Sequence, residues 1–215
     1  MERREGVRKL AVGLSLAAGV AAAGILARRR PRPPAIRFNA AYREDVRLRD
    51  GTRVILRLVR PRDKRRLEEG LRRLSAESRY QRFHAPKAAF TARELQYLTE
   101  TDGRSHLALG ALLASNPREG LAVARFVGGP RDPRVADAAI VVRDDMQLRG
   151  LGSVLLDRLA DAARERGIRT LRFEVLSANV AMIRLLRRVF GQVRQSREGF
   201  LTIAEADLEP AGPAA

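Results

Sequence analysis

A strand that passes through a glycine-punctuated turn directly into a helix constrains this chain more than any other stretch of it. Ala136 to Val142 is a run of small and branched apolar residues, and Arg143 to Gly150 is a polar turn. Leu151 to Arg166 then places Leu151, Leu155, Leu159 and Ala162 on one helical face. A helix that begins behind glycine leaves its first backbone N–H groups without intrahelical acceptors, at the positive end of its dipole. Such an end suits a phosphate. A Walker loop is excluded because no Gly-Lys-Ser/Thr follows, and a dinucleotide turn would need a third glycine and an earlier parallel unit. Two glycines before a helix also suit a plain tight turn, so the surrounding residues must decide.

Those surroundings alternate between strands and helices. Thr52 to Val59 alternates as a strand, and Pro61 with Asp63 opens a helix whose Leu67, Leu71 and Leu74 share a face. Thr91 and Glu94 form a capping box before Leu95, Tyr97 and Leu98. His106 to Leu113, Leu121 to Val127 and Ala136 to Val142, separated by Asn116-Pro117 and Gly128-Gly129-Pro130, predict an antiparallel meander. After the long helix, Thr170 to Leu176 is a strand and Val180 to Val189 a helix. Gln192 to Arg197 and Phe200 to Ala206 read as a closing hairpin. The expected class is α+β, a mixed, mostly antiparallel sheet of six to seven strands flanked by helices, with an N-terminal hydrophobic helix.

Composition removes several chemistries. The 215 residues include no cysteine, which excludes disulfides, thiolate metal sites and a cysteine nucleophile. Only His84 and His106 are present, each best read as structural or surface, so no metal site is expected. The excess of 42 Lys+Arg over 25 Asp+Glu gives a net charge of +17 and attraction to anionic partners. Nucleic acid is set aside, because the arginines are dispersed and aromatic residues are 5% of the chain.

At the N-terminus, a basic tail over 1–9 precedes an uncharged run from Leu10 to Ala27, flanked by arginines on its C-terminal side. As a helix the run would approach the thickness of a bilayer core, which supports a transmembrane anchor. A cleaved signal peptide and a surface helix are the other readings. Pro31, Pro33 and Pro34 suggest an extended linker over 28–45, followed by a catalytic domain over 46–208 and a short tail over 209–215.

Gln147-x-x-Gly150-x-Gly152 resembles the pyrophosphate signature of the GNAT acyltransferase superfamily, over Gly51 to about Leu208. Glu174-Val175-Leu176-x-x-Asn179-x-x-Met182-x-x-Leu185 resembles the strand and helix that line the pantetheine arm in that family. Leu74-Ser75-Ala76-Glu77-Ser78-Arg79-Tyr80-x-Arg82-Phe83 looks like the substrate-side helices of Pat-type bacterial protein lysine acetyltransferases. The resemblance implies an acetyl-CoA-dependent N-acetyltransferase without a metal. It assigns cofactor binding to Val141, Val142, Gln147, Leu148, Arg149, Gly150, Leu151, Gly152, Ser153, Asn179 and Met182. Asn179 equally suits a helix cap.

Deprotonating a lysine amine, whose pKa is near ~10.4, calls for a base. Asp137, at the strand start where Pat-like enzymes usually carry glutamate, is the first candidate, and Glu174 is the second. Each has a plain alternative, a carboxylate pairing with nearby arginine. Where many relatives place a thiolate-protonating tyrosine this chain has Leu186, so water is expected to protonate the leaving thiolate. The family's usual Gly-Phe after this helix is inverted to Phe190-Gly191. The acceptor implied is a protein lysine, with a small amine as the alternative. A non-catalytic acyl-CoA sensor is the reading from another class. Because acyl-CoA is cytosolic, the anchor over 10–27 leads to a single-pass membrane protein with its catalytic domain cytoplasmic. The alternative is a cytoplasmic protein without an anchor.

Overall fold

Residues 36–208 are described by a computed structural model. Strands β1 (Arg43–Arg47) and β2 (Arg53–Leu58) form a hairpin, followed by helices α1 (Lys64–Arg72), α2 (Ala76–Phe83) and α3 (Ala92–Thr99). The meander β3 (His106–Leu113), β4 (Asn116–Gly128) and β5 (Val135–Val142) leads into α4 (Leu151–Arg164). The chain closes with β6 (Thr170–Leu176), α5 (Val180–Phe190), β7 (Val193–Glu198) and β8 (Leu201–Asp207). The sheet runs β1-β2-β3-β4-β5-β6-β8-β7. All pairings are antiparallel except β5 with β6, which is parallel.

Among the described residues eight strands stand where the sequence suggests six or seven. The additional one is β1, whose sequence REDVR carries almost no apolar signal and which the sequence reading assigns largely to a linker. Charge holds it in place: Glu44 on β1 takes a bidentate pair from Arg158 on α4, at 2.9 and 2.7 Å, and a hydrogen bond from the Tyr42 hydroxyl at 2.6 Å. Phe38 and Tyr42, also upstream of the expected boundary, are buried in the core.

Successive strand residues face opposite sides of the sheet, and β4 illustrates what each side meets. Ala122, Ala124 and Phe126 join Leu151, Leu155, Leu156 and Leu159 of α4 in the main core. Val123 and Arg125 point the other way, toward α1, α2 and α3, where Arg125 donates to the Leu98 carbonyl at 3.1 Å. The capping box at Thr91 and Glu94 forms as expected and starts α3. On the same side the buried Asp63 accepts two hydrogen bonds from Arg57, at 2.7 and 2.8 Å, which fixes the chain leaving β2.

The membrane assignment is corrected here. Among the described residues no helix is long and apolar enough to cross a membrane. The longest, α4, has 14 residues, well short of the ~20 a span requires, and is amphipathic. Residues 10–27, on which the hydrophobic helix, the transmembrane reading and the single-pass location rested, lie outside the described residues.

The Glu44–Arg158 pair sets an expectation for acid stability. Hydrogen bonding from Arg158, aided by Tyr42, lowers Glu44 from 4.5 to about 2 against the opposing effect of burial. A depressed folded-state value stabilises the fold above the unfolded value and is lost as pH falls through the folded one. Urea midpoints should therefore drop between about pH 5 and pH 2, and Glu44→Gln should flatten part of that decline. An identical pH profile in the variant would remove Glu44 from the acid response.

Candidate acyl-transfer site

The site follows from one interruption in the sheet. β5 and β6 pair only at Val135↔Thr170, Ala136↔Leu171 and Asp137↔Arg172. Beyond that register β6 continues against β8, while among the described residues no strand pairs with the β6-facing edge of β5 over 138–142. An internal strand edge with unmatched N–H and C=O groups calls for another extended, amide-bearing partner.

At the far end of that open edge the chain turns into α4. Asp144 to Met146 make a single 3-10 turn anchored by the buried Met146. Leu148 and Gly150 then both take left-handed backbone, at φ 60 and 91. The Leu148 side chain is exposed. A non-glycine residue held in that conformation is uncommon and marks a constrained loop. α4 has no side-chain cap and no acidic residue in its first turn, and its first helical bond is Val154 N–H to Gly150 O at 3.2 Å. The amides of Leu151, Gly152 and Ser153 thus face out of the helix end, an arrangement that fits a pyrophosphate.

Glycine is needed at position 152 for packing as well. A Cβ there would stand 3.1 Å from Leu185 Cδ2 on α5 and 3.7 Å from Val142 Cγ2 on β5. At 150 the requirement is the backbone angle. Arg149 does not extend freely toward a phosphate, because its guanidinium bonds Asp50 at 2.6 Å. Arg49, with side-chain atoms 3.7 to 3.8 Å from where a Gly150 Cβ would lie, is a basic neighbour that sequence reasoning missed. It sits in the β1–β2 turn, remote in sequence.

The remaining expected residues distribute as follows. Gln147 reaches the Val142 carbonyl at 3.3 Å and Ser78 Oγ at 3.4 Å. Asn179 caps α5, its Oδ1 accepting from Met182 N–H at 3.0 Å, while its Nδ2 donates to Gln81 Oε1 at 3.2 Å. Val142 and Met182 pack against the core, and Val141 faces the α1–α3 side. Two residues without a sequence signal tie α2 down, one to the start of α5 and one to the loop before α4. Gln81 is one, and Asp144 is the other, accepting from Ser75 N–H, Ser75 Oγ and Ser78 Oγ at 2.9, 2.8 and 2.7 Å.

Asp137 stands at the last residue pair before the strands part, on the sheet face opposite α4. Its Oδ1 accepts from Arg172 Nε at 2.6 Å, and both side chains are about half exposed. Glu174 is exposed two residues along β6. Arg172 is raised above its ordinary value first by the Asp137 hydrogen bond, with Glu174 and Glu205 adding attraction. Three carboxylates therefore surround one guanidinium beside the opening. No metal-binding group of His, Asp or Glu occurs among the described residues.

A family model described as the acetyltransferase (GNAT) family matches residues 65–192. Acetyltransferase Pat of Mycolicibacterium smegmatis is 32% identical over 172 residues, covering 77% of this chain and 49% of that protein. The chain thus spans about half the length of that relative. The crystal structure of the GNAT domain of S. lividans PAT superposes with a TM-score of 0.73 at 33% identity, covering 80% of this chain and 99% of that one. The fold is also that of yncA, a putative acetyltransferase from Salmonella typhimurium with its cofactor acetyl-CoA. That match has a TM-score of 0.56 and 22% identity, over 75% of this chain and 98% of that one.

Proposed function

The chain belongs to the GNAT acetyltransferase family, and from that premise we propose that it transfers the acetyl group of acetyl-CoA to a lysine side chain of a protein. The observation that carries the reading is the parting of β5 and β6 at Asp137↔Arg172, in line with an uncapped helix. Acetyl-CoA supplies an activated acyl thioester when bound. The residues present fit it: the α4 amides at Leu151, Gly152 and Ser153 take the pyrophosphate, and the open edge of β5 through Val141 and Val142 takes the pantetheine amides. Gln147, Leu148, Arg149 and Gly150 shape the loop around it. Asn179 and Met182 hold the start of α5 on the other side.

Catalysis then rests on proton handling at the opening. The acceptor amine must lose its proton before attack, and Asp137 receives it by way of a water while Arg172 keeps the carboxylate in place. Glu174, on the same face of β6 as Arg172, helps draw the cationic side chain in. The leaving thiolate takes its proton from water, since Leu186 occupies the position a tyrosine would need. A thiolate with a pKa near ~8.5 leaves without a strong acid.

Support for a protein acceptor comes from the resemblance of Leu74 to Phe83 to the substrate-side helices of Pat-type protein lysine acetyltransferases, and from the half-exposed Asp137 carboxylate, which an extended polypeptide can approach. Incubating the chain with acetyl-CoA and lysine-bearing peptides should release thiol and add one acetyl group per modified lysine, read by mass spectrometry. Transfer to small amines with none to any peptide would replace the acceptor class. Acetyl-CoA binding without any transfer would favour the sensor reading.

A further inference from the structure

On the α1–α3 side of the sheet lies a cavity of about 100 Å³ whose walls are mainly apolar, including Leu71, Phe83, Phe90, Leu98, Val123 and Val141. An engineered apolar cavity of ~150 Å³ accepts benzene, so this one suits a molecule of a few heavy atoms. Five arginines also line it: Arg57, Arg66, Arg82, Arg125 and Arg143. Three are answered by carboxylates. Arg57 and Arg66 share Asp63, and Arg143 is paired with Glu119 and Asp145.

Arg82 and Arg125 are not. Arg125 is 7% exposed, and its bonds run to two uncharged partners, the Leu98 carbonyl at 3.1 Å and His106 Nε2 at 3.4 Å. Burial, and then the Arg125 charge, lower His106, so the imidazole stays neutral and adds no compensation. Arg82, part-buried on α2, lies over the Phe83 ring at 5.1 Å and has no carboxylate partner among the described residues. Burial, with repulsion from Arg82, pushes Arg125 down to about 10, which leaves it charged at neutral pH. A guanidinium removed from water without an anion is costly, and two facing one cavity more so.

We propose that this cavity binds a small carboxylate with a short apolar body, its oxygens held by Arg82 and Arg125 and its stem against Phe83, Phe90 and Val123. Arginine forks match a carboxylate through paired N–H donors, and few polar groups on apolar walls is the usual composition of a small-molecule site. The site abuts the transfer centre, since Arg125 on β4 stands opposite Ala139 on β5, in the stretch whose other edge is open. The carboxylate therefore belongs either to an acceptor amine or to a separate effector. The inference goes beyond the acyl-transfer reading: carboxylate binding does not rest on it, and only the acceptor as source does.

Titration of propionate and butyrate into the full chain by calorimetry, with propionamide and butyramide as neutral counterparts, tests it. The carboxylates should bind at least about tenfold more tightly than the amides. Arg82→Gln should lose about tenfold or more in carboxylate affinity with unchanged acetyl-CoA affinity. Arg125→Gln should do the same. If that buried change prevents folding, Arg82→Gln carries the result, because its side chain is only part-buried. No carboxylate binding, equal affinity for amide and acid, or parental affinity in the folded arginine variants would overturn the proposal. Calorimetry requires no turnover, so failure of acetyl transfer leaves this test intact. Transfer to γ-aminobutyrate compared with butylamine separates the sources. A preference for the acid that Arg82→Gln abolishes places the carboxylate on the acceptor, and butyrate binding without such a preference makes it an effector.

Discussion

Asp137→Asn is expected to lower kcat for acetyl transfer about a hundredfold, with acetyl-CoA affinity changed by less than about twofold. The size follows from what the substitution spares. Asparagine keeps the shape of the side chain, and its carbonyl oxygen can still accept from Arg172 Nε, as Asp137 Oδ1 does at 2.6 Å. It cannot accept the proton that the second carboxylate oxygen, which has no partner among the described residues, is open to receive. The loss should therefore fall on the chemical step and not on binding. The variant's rate should also climb with pH only as the amine loses its own proton, toward ~10.4, whereas the parent should be active well below that. Asp137→Glu should retain most activity. Parental turnover in Asp137→Asn would transfer the role to Glu174, and Glu174→Gln would then show the hundredfold loss.

The strand–turn–helix at the centre of the site was legible because its signals are local. β5 ends at Val142, where the apolar run ends, and α4 starts at Leu151 behind Gly150, the residue that needs positive φ. β1 was not legible, since its binding to the domain depends on Glu44 meeting Arg158, more than a hundred residues away. The closing hairpin is readable as two strands, and its order in the sheet is harder to read. A signal did exist for that order: β8 presents Ala204 and Ala206 to the core, while β7 exposes nearly every side chain and belongs at the edge. The contacts that fix α2 over the loop and against the start of α5, Asp144 to Ser75 and Ser78 and Gln81 to Asn179, join polar residues far apart in sequence. Such residues carry no periodicity, and their roles emerge only from the folded arrangement. The same holds for Arg82 and Arg125, which in sequence are two arginines among 39 and in the fold are the two lining the cavity without a counter-charge among the described residues.

Ser153→Glu should weaken acetyl-CoA binding by about thirtyfold or more, roughly 2 kcal/mol, while leaving the melting temperature unchanged or raised. Stability and affinity move in opposite directions here for one reason. Ser153 is the third residue of α4, a helix without an acid in its first turn. A carboxylate at that place complements the positive end of the dipole, worth ~0.3–1 kcal/mol to the unliganded fold. The same carboxylate would stand beside the amides assigned to the pyrophosphate and repel it. Substitutions at the glycines cannot make this separation, because a Cβ at 152 meets Leu185 at 3.1 Å and any side chain at 150 strains a φ of 91. Ser153→Gln supplies the control of equal size without charge. Equal losses in Ser153→Glu and Ser153→Gln would mean crowding, and unchanged affinity in both would remove the cofactor phosphates from the start of α4. A large loss in Ser153→Glu alone, diminishing as salt is added, is the outcome that electrostatic capture at this helix end requires.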